Sequence, residues 1–348
     1  MRLLRKLTRR NLRKLPRKLS ELGLQAAYRL RLSRVPFLPQ AIDLEPNNYC
    51  NLRCPHCQVT HWSKPATRLT EESFCRIADQ FPHLRIVKLQ GMGEPLLNRH
   101  FLDMLRAGER REMNLRFTTN GMLCDEKTAE QLATLTNTRI IFSMDGATPE
   151  VFESIRVGSD FEKIRSNISR LIEARGNRKQ PEICFWTVVT KMNEHQLRDI
   201  LLLAKELCVD QVTFQTFLSN WGKQDFDSQV DPMRVSSDVM ADAEQFASEQ
   251  GVELRVCTDN FLTKDKPCYW PWRSTYIAAN GDVIPCCVVA DSDVVKMGNV
   301  FEQDFKTIWN SREYRNLRRM IRKHKLPRYC RACYGRSESA VERYLPGQ

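Results

Sequence analysis

Strand-like and helix-like patterns alternate along this chain from residue 41 to residue 217, and that alternation limits the fold more than any other feature. Strand candidates rich in β-branched and aromatic residues are AIDLE (41–45), LRIVKLQ (84–90), LRFTT (115–119), TRIIFSM (138–144), EICFWTVVT (182–190) and DQVTFQTF (210–217). Between them, apolar residues fall at helical spacing. Phe161, Ile164, Ile168, Leu171 and Ile172 mark one face, and Leu197, Ile200, Leu201 and Ala204 another. Six βα units in succession predict a parallel sheet covered by helices, as an open sheet or a partial barrel. Polar or glycine-rich segments follow the first four strands: Asn47 to Cys57, GMGEP (Gly91 to Pro95), Asn120 with Gly121, and Asp145 with Gly146. In a barrel, reactive groups belong at such C-terminal strand ends.

The first of these segments ends in YCNLRCPHC, which puts Cys50, Cys54 and Cys57 on one short loop. No run approaches eighteen apolar residues, and the N-terminal leucines are interrupted by Arg or Lys, which leaves no signal-peptide core. A cytosolic location is therefore expected. In that reducing compartment thirteen cysteines, an odd number, argue against a disulfide framework and for metal or redox chemistry. Three thiolates suit three irons of a cubic four-iron, four-sulfur cluster and leave its fourth iron open. A zinc site normally takes four closed ligands.

The Cx3CxxC spacing after a first strand, with GMGEP after the second, resembles the radical SAM superfamily, and the resemblance runs to about residue 225. It implies a partial (β/α)6 TIM-like barrel, drawn here over residues 40–250. It also implies a 4Fe-4S cluster on Cys50, Cys54 and Cys57 whose open iron is chelated by S-adenosylmethionine. Reductive cleavage of that cofactor yields a 5′-deoxyadenosyl radical that abstracts hydrogen from the substrate, with electrons from a donor such as flavodoxin or ferredoxin. Gly91 and Gly93 would let the backbone approach the ligand and offer carbonyls to its ammonium group, with Glu94 adding negative charge. Ser143 and Asp145 in FSMDGA would hydrogen-bond the ribose or the methionine end, or else cap the next helix; Asn120 carries the same two readings. His56 stands where the family usually has an aromatic residue, and its ring suits stacking on adenine. Val188 to Thr190 border the adenine or are simply buried strand.

Cys75, Cys124, Cys184, Cys208 and Cys257 are isolated and read as buried small apolar residues. Cys268, Cys286, Cys330 and Cys333 read differently. TYIAANGDVIP, between the first two, carries the Asn-Gly signal of a type I′ hairpin, and a helical stretch from about Asp304 to His324 would deliver the last two. Four converging thiolates bind zinc or a fully ligated cluster, and spacing alone leaves both open. The pattern Cx12Gx4C followed by CxxC is similar to the SPASM extension of radical SAM enzymes, and with no cysteine after Cys333 it is similar to the single-cluster twitch version. That implies a small cysteine-rich domain over residues 251–348 with a second, auxiliary 4Fe-4S cluster. A closed cluster points to electron transfer, hence to net oxidation of a small molecule such as a sugar or cyclitol, or of a glycolipid-like compound. An epimerase that uses Cys287 as hydrogen donor is an alternative. A peptide-modifying enzyme is another, weighed less because only about 40 residues precede the first strand. A non-catalytic zinc or iron-sulfur protein is the alternative of another class. Trp270, Trp272 and Arg273 line a pocket or pack beside Cys268.

The net charge of +12 is concentrated in the arm and linker, residues 1–39. Residues 1–34 hold twelve Arg and Lys against one acid, Glu21. Leu12, Leu15, Leu19, Leu22 and Ala26 fall at helical spacing, so the arm reads as a basic amphipathic helix interrupted near Pro16. VPFLP (Val35 to Pro39) is a stiff linker into the first strand. The leucine face packs on the main domain, lies on an anionic membrane, or accompanies basic contacts to nucleic acid. The membrane reading adds a peripheral place at the inner membrane surface to the cytosolic one.

Overall fold

The structure, a computed structural model, describes residues 9–216, 237–257 and 262–334. Residues 1–8 of the basic arm, Phe217 of the sixth strand candidate and the resemblance from 217 to about 225 lie outside the described residues. Seven parallel strands form the body of one sheet: β1 (Ala41–Leu44), β2 (Ile86–Lys88), β3 (Asn114–Thr119), β4 (Thr138–Ser143), β5 (Glu182–Val188), β6 (Gln211–Gln215) and β7 (Leu254–Cys257). Each pairs with the next in sequence, the arrangement of a barrel left open. The pairing of β7 with β6 places it in this sheet, beyond the boundary drawn at residue 250.

Alternation along the strands decides what each face carries. Val87, Leu115, Phe117, Ile140, Phe142, Ile183, Phe185, Val212 and Phe214 are buried in the main apolar core. That core also takes up residues from the covering helices: α2 (Glu71–Ala78), α3 (Phe101–Arg110), α4 (Glu126–Ala133), α6 (Phe161–Arg175), α7 (Leu197–Glu206) and α8 (Ser237–Gln250). The intervening positions, among them Asp43, Lys88, Arg116, Arg139, Trp186 and Thr213, line the other face, which is polar. Side-chain caps start several helices. Thr70 accepts from Ser73 N before α2, Asp125 from Thr128 N before α4, and Asp160 from Lys163 N before α6. A short helix, α5 (Pro149–Ile155), follows β4.

The C-terminal part extends the same sheet. β8 (Tyr276–Ile277) lies parallel to β1, and β9 (Asp282–Ile284) and β10 (Gly298–Asn299) continue antiparallel from it. The expected hairpin forms, but not with a type I′ turn, which needs positive φ at two central residues. Here Gly281 (φ 85°) has positive φ and Asn280 does not. Gly281 N donates to Ala278 O (2.8 Å), so the turn is an ordinary one closed by a left-handed glycine. A Cβ at position 281 would also meet the Phe301 ring at 2.4 Å. Three helices complete this part: α9 (Trp270–Arg273), α10 (Phe305–Trp309) and α11 (Arg312–Arg322).

The N-terminal helix α1 (Arg9–Arg29) passes through Pro16 as one element, so the expected interruption is absent. It is tied to the C-terminal part. Tyr28 Oη donates to Pro267 O (2.7 Å), and its ring meets Trp272 edge-on at 5.9 Å.

Candidate active site

The first three cysteines ride on the loop that leaves β1, and backbone bonds fix that loop before any ligand is considered. Cys57 N donates to Cys54 O (3.0 Å), Thr60 Oγ1 to the same carbonyl (2.9 Å), and Arg53 N to Val157 O (2.9 Å). The buried Asn47 amide donates to Tyr49 O (2.9 Å) and Glu94 O (3.1 Å). Burial pushes all three thiols up, Cys57 to about 11, and Cys57 also feels Cys54 and Cys50. Three sulfurs thus share one neighbourhood, and a metal binding there displaces their protons. Among the described residues no group of three or more His, Cys, Asp or Glu side chains is set around a single metal ion. A cubic cluster asks for a wider spread, since each thiolate takes a different iron.

GMGEP packs against this loop directly. A Cβ at Gly93 would lie 2.4 Å from Asn47 O and 2.6 Å from Tyr49 O, and one at Gly91 would meet the Glu45 side chain at 2.4 Å. The close approach that needs glycine is therefore to the cysteine loop itself. Glu94 is buried and fully engaged: it accepts from Thr119 Oγ1 (2.7 Å), Leu96 N (3.1 Å) and Asn120 N (2.8 Å). Burial pushes its carboxyl up to about 7 against those bonds. The placement makes Glu94 a tie between the loop after β2 and the end of β3. Asn120, held there, reaches the cysteine loop, with Nδ2 2.9 Å from Asn51 Oδ1 and 3.8 Å from Cys50 Sγ.

At the end of β4 the two candidates differ. Asp145 is wholly buried; one carboxylate oxygen accepts from Arg156 Nε (2.6 Å) and the other from Val188 N (2.8 Å). It does not cap α5, whose N-cap is Thr148. Ser143 is 8% exposed, and its hydroxyl keeps contact with solvent and has no hydrogen-bond partner among the described residues. Arg156, from the end of α5, escaped the sequence reading. Burial alone would lower its guanidinium, yet the Asp145 carboxylate and the Cys54 thiol hold it above its ordinary value. His56 is buried, and its Nδ1 has no partner. Burial, and then Arg156, lower it to about 4, so the ring is neutral near pH 7. Val189 and Thr190 are buried strand end, and Thr190 N donates to Asn193 Oδ1 (2.7 Å).

The second cysteine set comes together from three segments. Cys268 precedes α9, Cys286 follows β9, and Cys330 with Cys333 lies on the 3-10 turn Arg328–Cys333. Burial pushes Cys268 up to about 12 and raises Cys286 and Cys330 further. After burial, the Cys330 thiol responds to Cys286, Cys268 and Cys333 in turn, which marks the four as neighbours. Cys268 N donates to Tyr334 Oη (2.9 Å), which closes the group. Cys287 lies beside Asp43 on the barrel wall, between it and the second cysteine set. Of the isolated cysteines, Cys124 and Cys184 are buried as expected, Cys75 and Cys257 are half-buried, and Cys208 is exposed. Trp272 is wholly buried and donates to Leu32 O (2.8 Å), a packing role.

Two buried acids join the two sets. Glu45 accepts from Met92 N (3.0 Å) in GMGEP and from Tyr276 Oη (2.9 Å) and Ala279 N (3.1 Å) of the hairpin. Asp291 accepts from Gln58 Nε2 (2.7 Å) and pairs with Lys64, both just past Cys57. Neither was singled out in the sequence. Glu45 offered one signal, an acid closing an apolar strand, whereas Asp291 offered none, because its partners Gln58 and Lys64 lie far away in the chain, and Arg156 none, because it meets Asp145 only through the turn of α5. The residues fit a thiolate-held cluster with a nucleoside-bearing ligand beside it: an unsatisfied neutral imidazole, His56, lies on the loop that carries the three clustered thiols.

Comparison with known proteins matches two separate parts of the chain. The Radical SAM superfamily profile matches residues 44–204, and the SPASM iron-sulfur cluster-binding domain profile matches residues 268–334. The chain is 27% identical over 343 residues to the AdoMet-dependent heme synthase of Methanosarcina barkeri, covering 88% of this chain and 94% of that protein. It is 26% identical over 309 residues to the tungsten-containing aldehyde ferredoxin oxidoreductase cofactor-modifying protein of Pyrococcus furiosus, covering 83% and 86%. The crystal structure of Streptococcus suis SuiB bound to S-adenosylmethionine superposes with a TM-score of 0.69 at 17% identity, over 86% of this chain and 72% of that one, which shows a shared fold. The chain belongs to the radical SAM superfamily and carries a C-terminal SPASM iron-sulfur domain.

Proposed function

We propose that this radical SAM enzyme carries out a net two-electron oxidation, in which an auxiliary 4Fe-4S cluster on Cys268, Cys286, Cys330 and Cys333 accepts the second electron. The observation that carries the reading is that the fold gathers four cysteines from three segments, Cys268 before α9, Cys286 after β9 and Cys330 with Cys333 on one 3-10 turn, with Cys268 N bonded to Tyr334 just past Cys333. Four cysteines leave no iron of that cluster open to substrate, so electron transfer is the role left to it. In the first set, Cys50, Cys54 and Cys57 hold three irons, and S-adenosylmethionine bound at the fourth supplies the 5′-deoxyadenosyl radical.

The chain's own residues orient that ligand. The neutral His56 ring stacks on its adenine, the free Ser143 hydroxyl donates to it, and Asn120 steadies the Cys50 end of the loop. Asp145 works through Arg156, which it holds beside Cys54 and Cys57. Gly91, Gly93 and Glu94 serve by seating the loop after β2 against the cysteine loop. An external donor such as flavodoxin or ferredoxin supplies the reducing electron.

The substrate class follows the relatives that match along most of their length. Both are named for work on a cofactor, which favours a cofactor precursor here. A sugar, cyclitol or glycolipid substrate draws no support from them. Anaerobic reconstitution with S-adenosylmethionine and a strong reductant tests the reading. Formation of 5′-deoxyadenosine is expected, together with about eight irons per chain. About four irons with retained zinc would make the C-terminal site structural and remove the electron acceptor.

A further inference from the structure

The arm helix α1 divides its apolar residues between two sides. Ser20, Leu24 and Ala27 are buried, and together with Tyr28 they recur at helical steps, so they form the side seated on the body of the protein. Leu19, Leu22, Ala26 and Leu30 recur at steps of three and four residues on another side, and all four are exposed. Leu19 is 57% exposed, Leu22 60% and Leu30 69%. The leucine face legible in the sequence is thus not the face that packs on the main domain.

This exposure is concentrated. Among the described residues nine large hydrophobic side chains are exposed, and five of them, Leu19, Leu22, Leu30, Leu32 and Phe37, lie between positions 19 and 37. The Phe37 ring lies over Gly23, one turn beyond Leu19, so closely that a Cβ there would sit 2.1 Å from Cε2. The linker therefore adds an aromatic ring to the same stripe. Lys18, Arg29 and Arg34 are exposed along this region, in a segment of twelve basic residues and one acid.

We propose that the exposed face of α1, with Phe37, rests on the surface of an anionic lipid bilayer and holds the enzyme there. An apolar stripe flanked by cations suits acyl chains below and acidic headgroups around it. Nucleic acid would use the cations and leave the leucines in water. No described helix is long and apolar enough to cross a membrane, so α1 lies in the interface. Because Tyr28 bonds Pro267, next to Cys268, the lipid-facing helix is fixed directly to the cysteine-rich part.

Co-sedimentation of the full chain with vesicles tests this. Vesicles of equal parts phosphatidylglycerol and phosphatidylcholine are expected to bind at least tenfold more tightly than pure phosphatidylcholine, with affinity falling as salt rises. The variant Leu19→Ser/Leu22→Ser/Leu30→Ser should lose at least tenfold at unchanged melting temperature and iron content. Lys18→Glu/Arg29→Glu should weaken binding and flatten its salt dependence. Three results would overturn the proposal. One is a leucine variant that binds vesicles like its parent. Another is a 20-nucleotide RNA that binds as tightly as the vesicles and is indifferent to the leucines. The third is a lipid-independent dimer that the leucine variant splits.

Discussion

The two cysteine sets reach similar chemistry by opposite routes. Cys50, Cys54 and Cys57 sit within eight residues on one loop, already held by its own backbone and by Asn47, Glu94 and Asn120. Cys268, Cys286, Cys330 and Cys333 come from three segments, brought together by the hairpin onto β1 and by α11. A site built into a finished fold loses chemistry when its ligands go, whereas a site that ties segments together loses fold as well. The largest expected effect lies on the first side. Cys50→Ala/Cys54→Ala/Cys57→Ala should cut 5′-deoxyadenosine formation by at least about a thousandfold and remove about four irons. The melting temperature should move little. A large thermal loss in that variant would break the contrast.

Removing one ligand of the second set should instead read out in stability. Cys286→Ala leaves three thiols and frees the end of β9 that follows the hairpin turn. By analogy with opening a cross-linked loop, the loss is about 3 kcal/mol. Cleavage of S-adenosylmethionine should survive while substrate product is lost. Calorimetry on the anaerobic protein, paired with a 5′-deoxyadenosine assay, checks both halves. A stable variant that still forms product would leave the second cluster without the proposed role.

Within the first set, the two glycines of GMGEP should separate. A methyl group at Gly93 meets two backbone carbonyls, which cannot move without displacing the cysteine loop; at Gly91 it meets the side chain of Glu45. Gly93→Ala should cost about 1–3 kcal/mol and reduce iron in the first cluster, with Gly91→Ala at or below the low end. Iron and sulfide analysis of the two variants decides it, and equal losses would mean that the loop yields as readily as a side chain.

These contrasts also explain what the sequence could reveal. Cysteine loop, glycine turn and strand ends were legible because each is a local pattern placed by the period of the strands. The parallel sheet was legible for the same reason, down to six of the seven strands β1–β7 of its body. The missing elements depend on distant partners. β7 is a strand because β6 lies beside it, and Asp291 matters because Gln58 and Lys64 come to it. Arg156 is bound to Asp145 only once α5 folds back over β4. The arm misled in a different way: its leucine period marked a helix correctly, but period alone cannot say whether protein or solvent meets that face.

The smallest effect isolates a ligand contact from the scaffold. Glu94, Asn120 and Asp145 are already bonded to protein, so their substitution mixes binding with folding. Ser143 is different, since its hydroxyl has no partner among the described residues. Ser143→Ala removes one oxygen from a buried position and leaves no protein group unsatisfied. Stability should stay within about 0.5 kcal/mol of the parent. If the hydroxyl donates to S-adenosylmethionine, the lost bond is worth about 1 kcal/mol, a roughly fivefold rise in Kd. Equilibrium dialysis of S-adenosylmethionine against the reconstituted protein measures that ratio. An unchanged Kd would assign the hydroxyl to the wall of the barrel and leave His56, with its unsatisfied Nδ1, as the nearer contact.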